Sequence, residues 1–381
     1  MSFDIAKKFI DDLLSDKYYL MTKENTGGLT IEFIGGEPLL EIDLIDKIWT
    51  YLMDQLILLN HPWAPYVKMS ICSNGLLYSN PKVKEFLIKY KKWMSFSISI
   101  DGNKELHDAC RKDLKGNGTY DIAIDAVKDY YNTTGIMMGT KSTISPDNIK
   151  YLYKSFLNLI DLGYRDIHVN CIFEKGWTIE HAKILYKELK QIADFIIDNK
   201  LNNKIYYSFL DKTYGMPVSE SENNNWCGGV GQENFAIDPD GKLYPCVRYM
   251  NSSLNNRQEP LSFGNIKDGY NITEKDHHVI ELLSNITRRS QSTDECFYCP
   301  VGSGCSWCSA YNYEEFGTPN KRATYICIMH KATSLANAYY YNKLYKTYNL
   351  SYRKPIYLPK DEAINIIGEN EYNELIKGSE I

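Results

Sequence analysis

The chain has 381 residues, 44% of them hydrophobic and 24% charged. That is the balance of an ordinary globular protein of about two domains. A formal net charge of −5 with no basic block argues against nucleic acid as a partner. No apolar run is long enough to cross a bilayer, and Met1-Ser2-Phe3-Asp4 has neither a basic region nor an apolar core behind it. No membrane partner and a cytoplasmic location are therefore expected.

In chain order, residues 2–21 carry helical spacing, and Leu29 to Ile34 reads as a buried strand closed by Gly35-Gly36. A helix from Ile42 to Leu58, a strand from Val67 to Cys72 ending at Ser73-Asn74-Gly75, and a helix opened by Pro81 follow. Phe96 to Ile100 is a third strand, ending at Asp101-Gly102. Helices at Tyr120–Tyr131 and Asn148–Leu162, strands at Met137–Ile144 and Asp166–Phe173, and a helix at Thr178–Asp198 complete the alternation. Five apolar strands separated by helices predict an α/β fold with a parallel sheet, whose ligands sit at the carboxyl ends of the strands. Periodicity does not choose between a part-barrel and an open sheet. His168, inside a strand pattern, reads as a core residue. Beyond residue 200 the alternation stops, and residues 215–330 are rich in Gly, Pro, Asn and Cys. Tyr325 to Tyr348 reads as a closing helix, and the tail from Ser351 carries little pattern.

Cysteine spacing is the strongest chemical signal. Cys227 is followed by thirteen residues, Gly241, four residues and Cys246; then come Cys296-x2-Cys299-x5-Cys305-x2-Cys308 and finally Cys327. Seven thiols without a secretory signal point to metal rather than disulfides. Such runs can wrap an iron–sulfur cubane, or hold zinc tetrahedrally. Cys72, Cys110 and Cys171 stand apart and read as structural buried cysteines.

The spacing resembles the SPASM domain of radical S-adenosylmethionine (SAM) enzymes, with Asp238-Pro239-Asp240-Gly241 as its hairpin. One departure is the two residues, not three, between Cys305 and Cys308. The resemblance implies two auxiliary 4Fe–4S clusters. Cys296, Cys299, Cys305 and Cys327 would complete the outer one. Cys227, Cys246 and Cys308 would hold the inner one with an iron position open, to which a substrate thiolate or a protein group such as Glu233 could bind. The front half is similar to the same family. Gly35, Gly36, Glu37 and Pro38 look like its motif for the SAM amino group: paired glycines admit a ligand and a carboxylate suits an ammonium. Ser73, Asn74, Ser99 and Asp101 end the next strands, and His107-x3-Arg111 follows, suggesting ribose contacts from Ser73 or Ser99 and a SAM carboxylate contact from Arg111. The plain alternatives are turn chemistry for the serines and Asn74, and a solvated Arg111.

The family's Cys-x3-Cys-x2-Cys motif for the reducing cluster is absent, because the first cysteine is Cys72. The expected architecture is thus a (β/α)6 part-barrel at 1–205 lacking its first strand and cluster loop, a SPASM domain at 215–330, and a C-terminal helix and tail at 331–381. The resemblance implies hydrogen abstraction from a ribosomally made peptide with electrons from a donor such as a flavodoxin or ferredoxin. Sulfatase-maturing relatives carry an Asp after the cysteine corresponding to Cys246, where this chain has Val247. Together with the open iron position, this favours a cysteine thioether crosslink, with another peptide modification such as a carbon–carbon crosslink as the runner-up. An inactive iron–sulfur fragment that binds peptide or carries electrons, and a zinc-ribbon scaffold, are the competing readings.

Overall fold

Ser2 caps the first helix by accepting the Ile5 amide at 3.3 Å, and α1 (Phe3–Leu14) presents Ile10, Leu13 and Leu14 to the core. In the computed structural model residues 1–15, 27–225, 227–230, 234–268, 274–349 and 353–379 are described; the end of the expected 2–21 helix lies outside them. Among the described residues six parallel strands follow: β1 (Leu29–Phe33), β2 (Val67–Ser73), β3 (Met94–Ile98), β4 (Lys141–Ile144), β5 (Asp166–Cys171) and β6 (Tyr206–Tyr207). Their neighbours run β1-β2-β3 and β4-β5-β6, and a parallel bridge between Ser97 and Gly139 joins the two sets. The connecting helices are α2 (Ile42–Leu58), α3 (Pro81–Tyr90), α4 (Lys104–Cys110), α5 (Tyr120–Thr134), α6 (Leu152–Asp161) and α7 (Ile179–Asp198). Strand β6 and helix α4 escape the sequence pattern because two and seven residues are too few to establish a period.

Helices cover one face of the sheet. Val67, Met69 and Ile71 of β2, Phe96 and Ile98 of β3, and Ile167, Val169 and Cys171 of β5 join one core with Trp49, Phe86, Val127, Phe156 and Leu189. The alternate positions form a polar second face: Glu32 is in register with Ser70, and Cys72 with Ser97, while Lys141 pairs with His168 and Thr143 with Asn170. His168 is therefore not a core residue; its side chain is 55% exposed and lies 3.1 Å from Asp166. The strict period of two sends it away from Ile167 and Val169. Cys72 and Cys110 are exposed and only Cys171 of the three isolated cysteines is buried, which corrects the structural reading for two of them.

The cysteine-rich segment is built on a small antiparallel sheet of β7 (Ala236–Ile237), β8 (Lys242–Tyr244) and β9 (Gly264–Asn265). Asp238 closes the hairpin by accepting the amides of Asp240 and Lys242 at 2.9 and 3.0 Å. Gly241 sits at φ +90°, where a side chain would strain the backbone. Short helices α8 (Glu274–Ser284), α9 (Arg288–Gln291), α10 (Asp294–Phe297) and α11 (Ser309–Phe316) follow. Helix α12 (Cys327–Tyr348) begins at a cysteine and runs back along α7. There Tyr339 donates to Asp194 at 2.6 Å and Tyr348 to the Ile197 carbonyl at 2.6 Å. A boundary at 330 would thus cut a continuous helix. The tail folds as α13 (Lys360–Ile367) and α14 (Glu369–Ser379), with Glu371 accepting from Tyr186 and Lys190 of α7.

Candidate functional site

Parallel strands end together, and here β1, β2 and β3 deliver their loops to one edge. Glu37 caps the short 3₁₀ helix Pro38–Glu41 by accepting the Leu39 amide at 3.1 Å. Its Oε1 also accepts the Ser73 hydroxyl and its Oε2 the Asn74 amide, each at 2.8 Å. Ser73 accepts the Ser99 amide at 2.9 Å through its carbonyl, and the Cys72 thiol lies 3.5 Å from the Ser99 hydroxyl. Beyond Ser99, Asp101 takes a two-pronged contact from Arg111, at 2.5 Å from Nε and 3.2 Å from Nη2. His107, fully buried, accepts the Asp101 amide at 3.4 Å and meets Thr119 at 3.1 Å; burial holds its pKa below the usual imidazole value. All the front-half residues singled out by sequence, Gly35, Gly36, Glu37, Pro38, Ser73, Asn74, Ser99, Asp101 and Arg111, gather at this edge. The charged ones are already engaged with protein partners. Gly35 and Gly36 are exposed, with open space where a Cβ would stand, so their backbone is what the edge offers a ligand.

The electrostatic neighbours of the clustered cysteines fall into two sets. Cys305 is held well above the ordinary thiol range, at about 12, by burial and then by the neighbouring Cys327, Cys296 and Cys299. Cys327 is pushed to about 11 by burial and the nearby Cys296 and Cys299, with Arg322 working against the shift. Thiols that influence one another in this way must be close. Cys296 lies in α10, Cys327 opens α12, and Arg322 donates to the Cys305 sulfur at 3.1 Å.

Cys246 is raised to about 11 by burial and by Cys308 and Cys227. A Cβ at Gly229 would lie 3.3 Å from the Cys246 sulfur and 3.6 Å from that of Cys227, so the bare glycine leaves the space between these thiols clear. Cys308 caps α11, its sulfur accepting the Tyr311 amide at 3.4 Å. Burial raises its pKa, Arg248 opposes that, and Cys227 adds to it. Cys308 thus stands with Cys227 and Cys246 despite its shortened spacing. Tyr311 of the same helix stacks on Phe173, just past the end of β5, at 6.0 Å between ring centroids, which places this trio toward the strand ends. Glu233 lies outside the described residues.

Among the described residues no three His, Cys, Asp or Glu side chains stand at the spacing of a single metal ion. A cubane is larger than one ion, and its ligands stand farther apart. The inner trio suits such a group: the Tyr249 and Ser309 side chains are fully buried, and all three cysteines of the trio act electrostatically on Tyr249. Tyr249, Arg248 and Arg322 carry no sequence signal, since single residues have no spacing.

Residues 227–300 match the SPASM family, described as an iron-sulfur cluster-binding domain. An uncharacterized protein of Methanocaldococcus jannaschii is 30% identical over 207 residues, 54% of this chain and 62% of that protein, so the chain spans less than two thirds of this relative. A cysteine-type anaerobic sulfatase-maturating enzyme of Clostridium perfringens is 22% identical over 78% of this chain and 79% of its own length. A radical SAM cyclopropyl synthase of Paramaledivibacter caminithermalis is 22% identical over 74% of this chain and 54% of its own length. Among solved structures, a sulfatase-maturating enzyme with bound AdoMet and the Kp18Cys peptide superposes with a TM-score of 0.61 at 18% identity, covering 89% of each chain. In sequence and in fold the chain is thus similar to the radical SAM/SPASM maturases, and its residues 227–300 match the SPASM iron–sulfur cluster-binding domain.

Proposed function

We propose that the chain belongs to the class of enzymes that form cysteine thioethers in ribosomally made peptides, with SAM cleavage depending on a three-cysteine reducing cluster that these 381 residues do not supply. In this reading SAM binds at the edge built by Gly35, Gly36, Glu37, Pro38, Ser73, Asn74, Ser99, Asp101 and Arg111. The seven cysteines hold two auxiliary 4Fe–4S clusters, and electrons come from a flavodoxin- or ferredoxin-like donor. The similarity to a maturase solved with AdoMet and a peptide supports both ligands. These 381 residues contain no Cys-x3-Cys-x2-Cys, and the proposal includes that on their own they do not cleave SAM.

The observation that carries the thioether is the grouping of Cys227, Cys246 and Cys308 as a trio. Three thiolates leave one iron of a cubane free, and a peptide cysteine is the soft ligand that iron prefers. Crosslinking would replace a C–H and an S–H bond of the peptide by a C–S bond: SAM held at the glycine edge would supply the acceptor of the hydrogen atom, solvent would take the thiol proton, and a cluster held by the seven cysteines would take the remaining electron. Val247 after Cys246 offers no base, which speaks against sulfatase-type oxidation. Adding a cysteine-containing peptide to the reconstituted protein should perturb the inner cluster's spectrum, and its Cys-to-Ser counterpart should not. Equal responses to both peptides would sink direct ligation.

A further inference from the structure

Arg322 lies five residues before Cys327 and outside every motif. Its Nη2 donates to the Cys305 sulfur at 3.1 Å and to the Cys305 carbonyl at 3.3 Å. Its amide donates to the Gln291 carbonyl at 2.9 Å, and its guanidinium lies 5.8 Å from the Trp307 ring. The electrostatic neighbours of this half-buried cation are Cys305, Cys296, Cys327 and Cys299, all four thiols of the outer group. Among the described residues no carboxylate forms an ion pair with it. Lys331, another cation near this group, is already paired with Glu362. Arg322 is therefore a positive charge whose partners are the four thiols.

We propose that Arg322 is a positioning residue that raises the reduction potential of the outer cluster. The proposal rests on the reading that Cys296, Cys299, Cys305 and Cys327 hold an iron–sulfur cluster. Reduction adds one negative charge to such a cluster. A cation hydrogen-bonded to a ligand sulfur stabilises that charge more than it stabilises the oxidised form, so the potential rises. The effect is strongest away from bulk water. Arginine suits the place because it keeps its charge when taken out of water, and its single Nη2 reaches both the sulfur and the carbonyl of Cys305. Raising the potential makes the outer cluster the better resting place for the electron released by crosslinking.

The test uses the full reconstituted chain with Arg322→Gln and Arg322→Lys. Iron content is measured first, then each cluster's midpoint by potentiometric titration followed by electron paramagnetic resonance. The outer signal is the one that Cys299→Ala removes. The expected result is unchanged iron in both variants, an outer midpoint shifted to lower potential in Arg322→Gln, a smaller shift in Arg322→Lys, and an unmoved inner midpoint. An outer midpoint that stays put while iron is retained overturns the proposal. So does loss of the outer iron in both variants, which would make Arg322 a structural residue. Zinc instead of iron in the unaltered chain overturns the iron–sulfur reading beneath it, a failure that the metal analysis separates from the first two.

Discussion

Glu37 shows how one carboxylate can be both a motif residue and a fastener. Its hydrogen bonds to Leu39, Ser73 and Asn74 tie the end of β1 to the end of β2. Hydrogen bonds to a charged acceptor contribute about 1.5–3 kcal/mol when buried, and this half-buried group should contribute less. Glu37→Ala is expected to lower the unfolding free energy by about 1–2 kcal/mol in urea titrations and to weaken SAM binding by calorimetry. Undiminished SAM affinity would remove Glu37 from the site. His330 is a different case. Its Nε2 meets the Val301 carbonyl, Nδ1 has no partner, and burial lowers its pKa from 6.5 to about 4. A histidine with a depressed pKa contributes stability that is fully present above 6.5 and is lost as pH falls toward 4. Between pH 7 and pH 5 the protein should lose about 2 kcal/mol from this group, since each pH unit below the unfolded pKa costs about 1.4 kcal/mol. His330→Gln should flatten that slope; the same slope in both proteins would show that other groups carry it.

At the scale of elements, the cysteine-rich segment has only two- and three-residue strands and helices mostly under a dozen residues. On the proposed reading, such a segment gains its rigidity from the clusters that its thiols hold. Cys299→Ala should remove about half of the iron and lower the melting temperature of the C-terminal region, because cluster binding and folding are coupled. Full iron content in the variant would remove Cys299 from the ligand set. The hairpin Asp238–Gly241 and the cysteine runs are legible in the sequence because each needs particular residues at fixed spacing. Strand β6 is not, since Tyr206–Tyr207 is extended only through its pairing with Asp166 and Ile167. His168 passes for a core residue in the sequence because a run of mixed residues looks buried on both sides until the open face of the sheet is known.

At the scale of the molecule, α12 joins the two halves: Cys327 at its start belongs to the outer thiol group, and Asn337, further along, donates to the carbonyls of Phe209 and Asp211 at 3.0 and 2.8 Å. Lys354, buried beyond it, bonds to Asn337 and to the Lys212 and Tyr214 carbonyls. The tail helices close over α7 through Glu371. Assayed anaerobically with a strong reductant, the 381-residue chain should produce no 5′-deoxyadenosine, because among the described residues the edge proposed for SAM gathers no set of three cysteines at cluster spacing. Steady turnover would place a reducing cluster among these residues and refute that part of the proposal.

Local chemistry is what the sequence determined by itself: the strand–helix alternation, the loops that must meet at the carboxyl ends of parallel strands, and the thiol spacing that marks a metal-binding domain. Those features depend on periods and short distances along the chain, which a sequence displays directly. The tertiary structure alone decided which charges neutralise one another and which are left for a ligand. Arg111 is turned onto Asp101, Glu37 onto Ser73 and Asn74, and Arg322 onto Cys305. A charged side chain leaving water needs a partner, and the fold chooses that partner from residues the sequence holds apart.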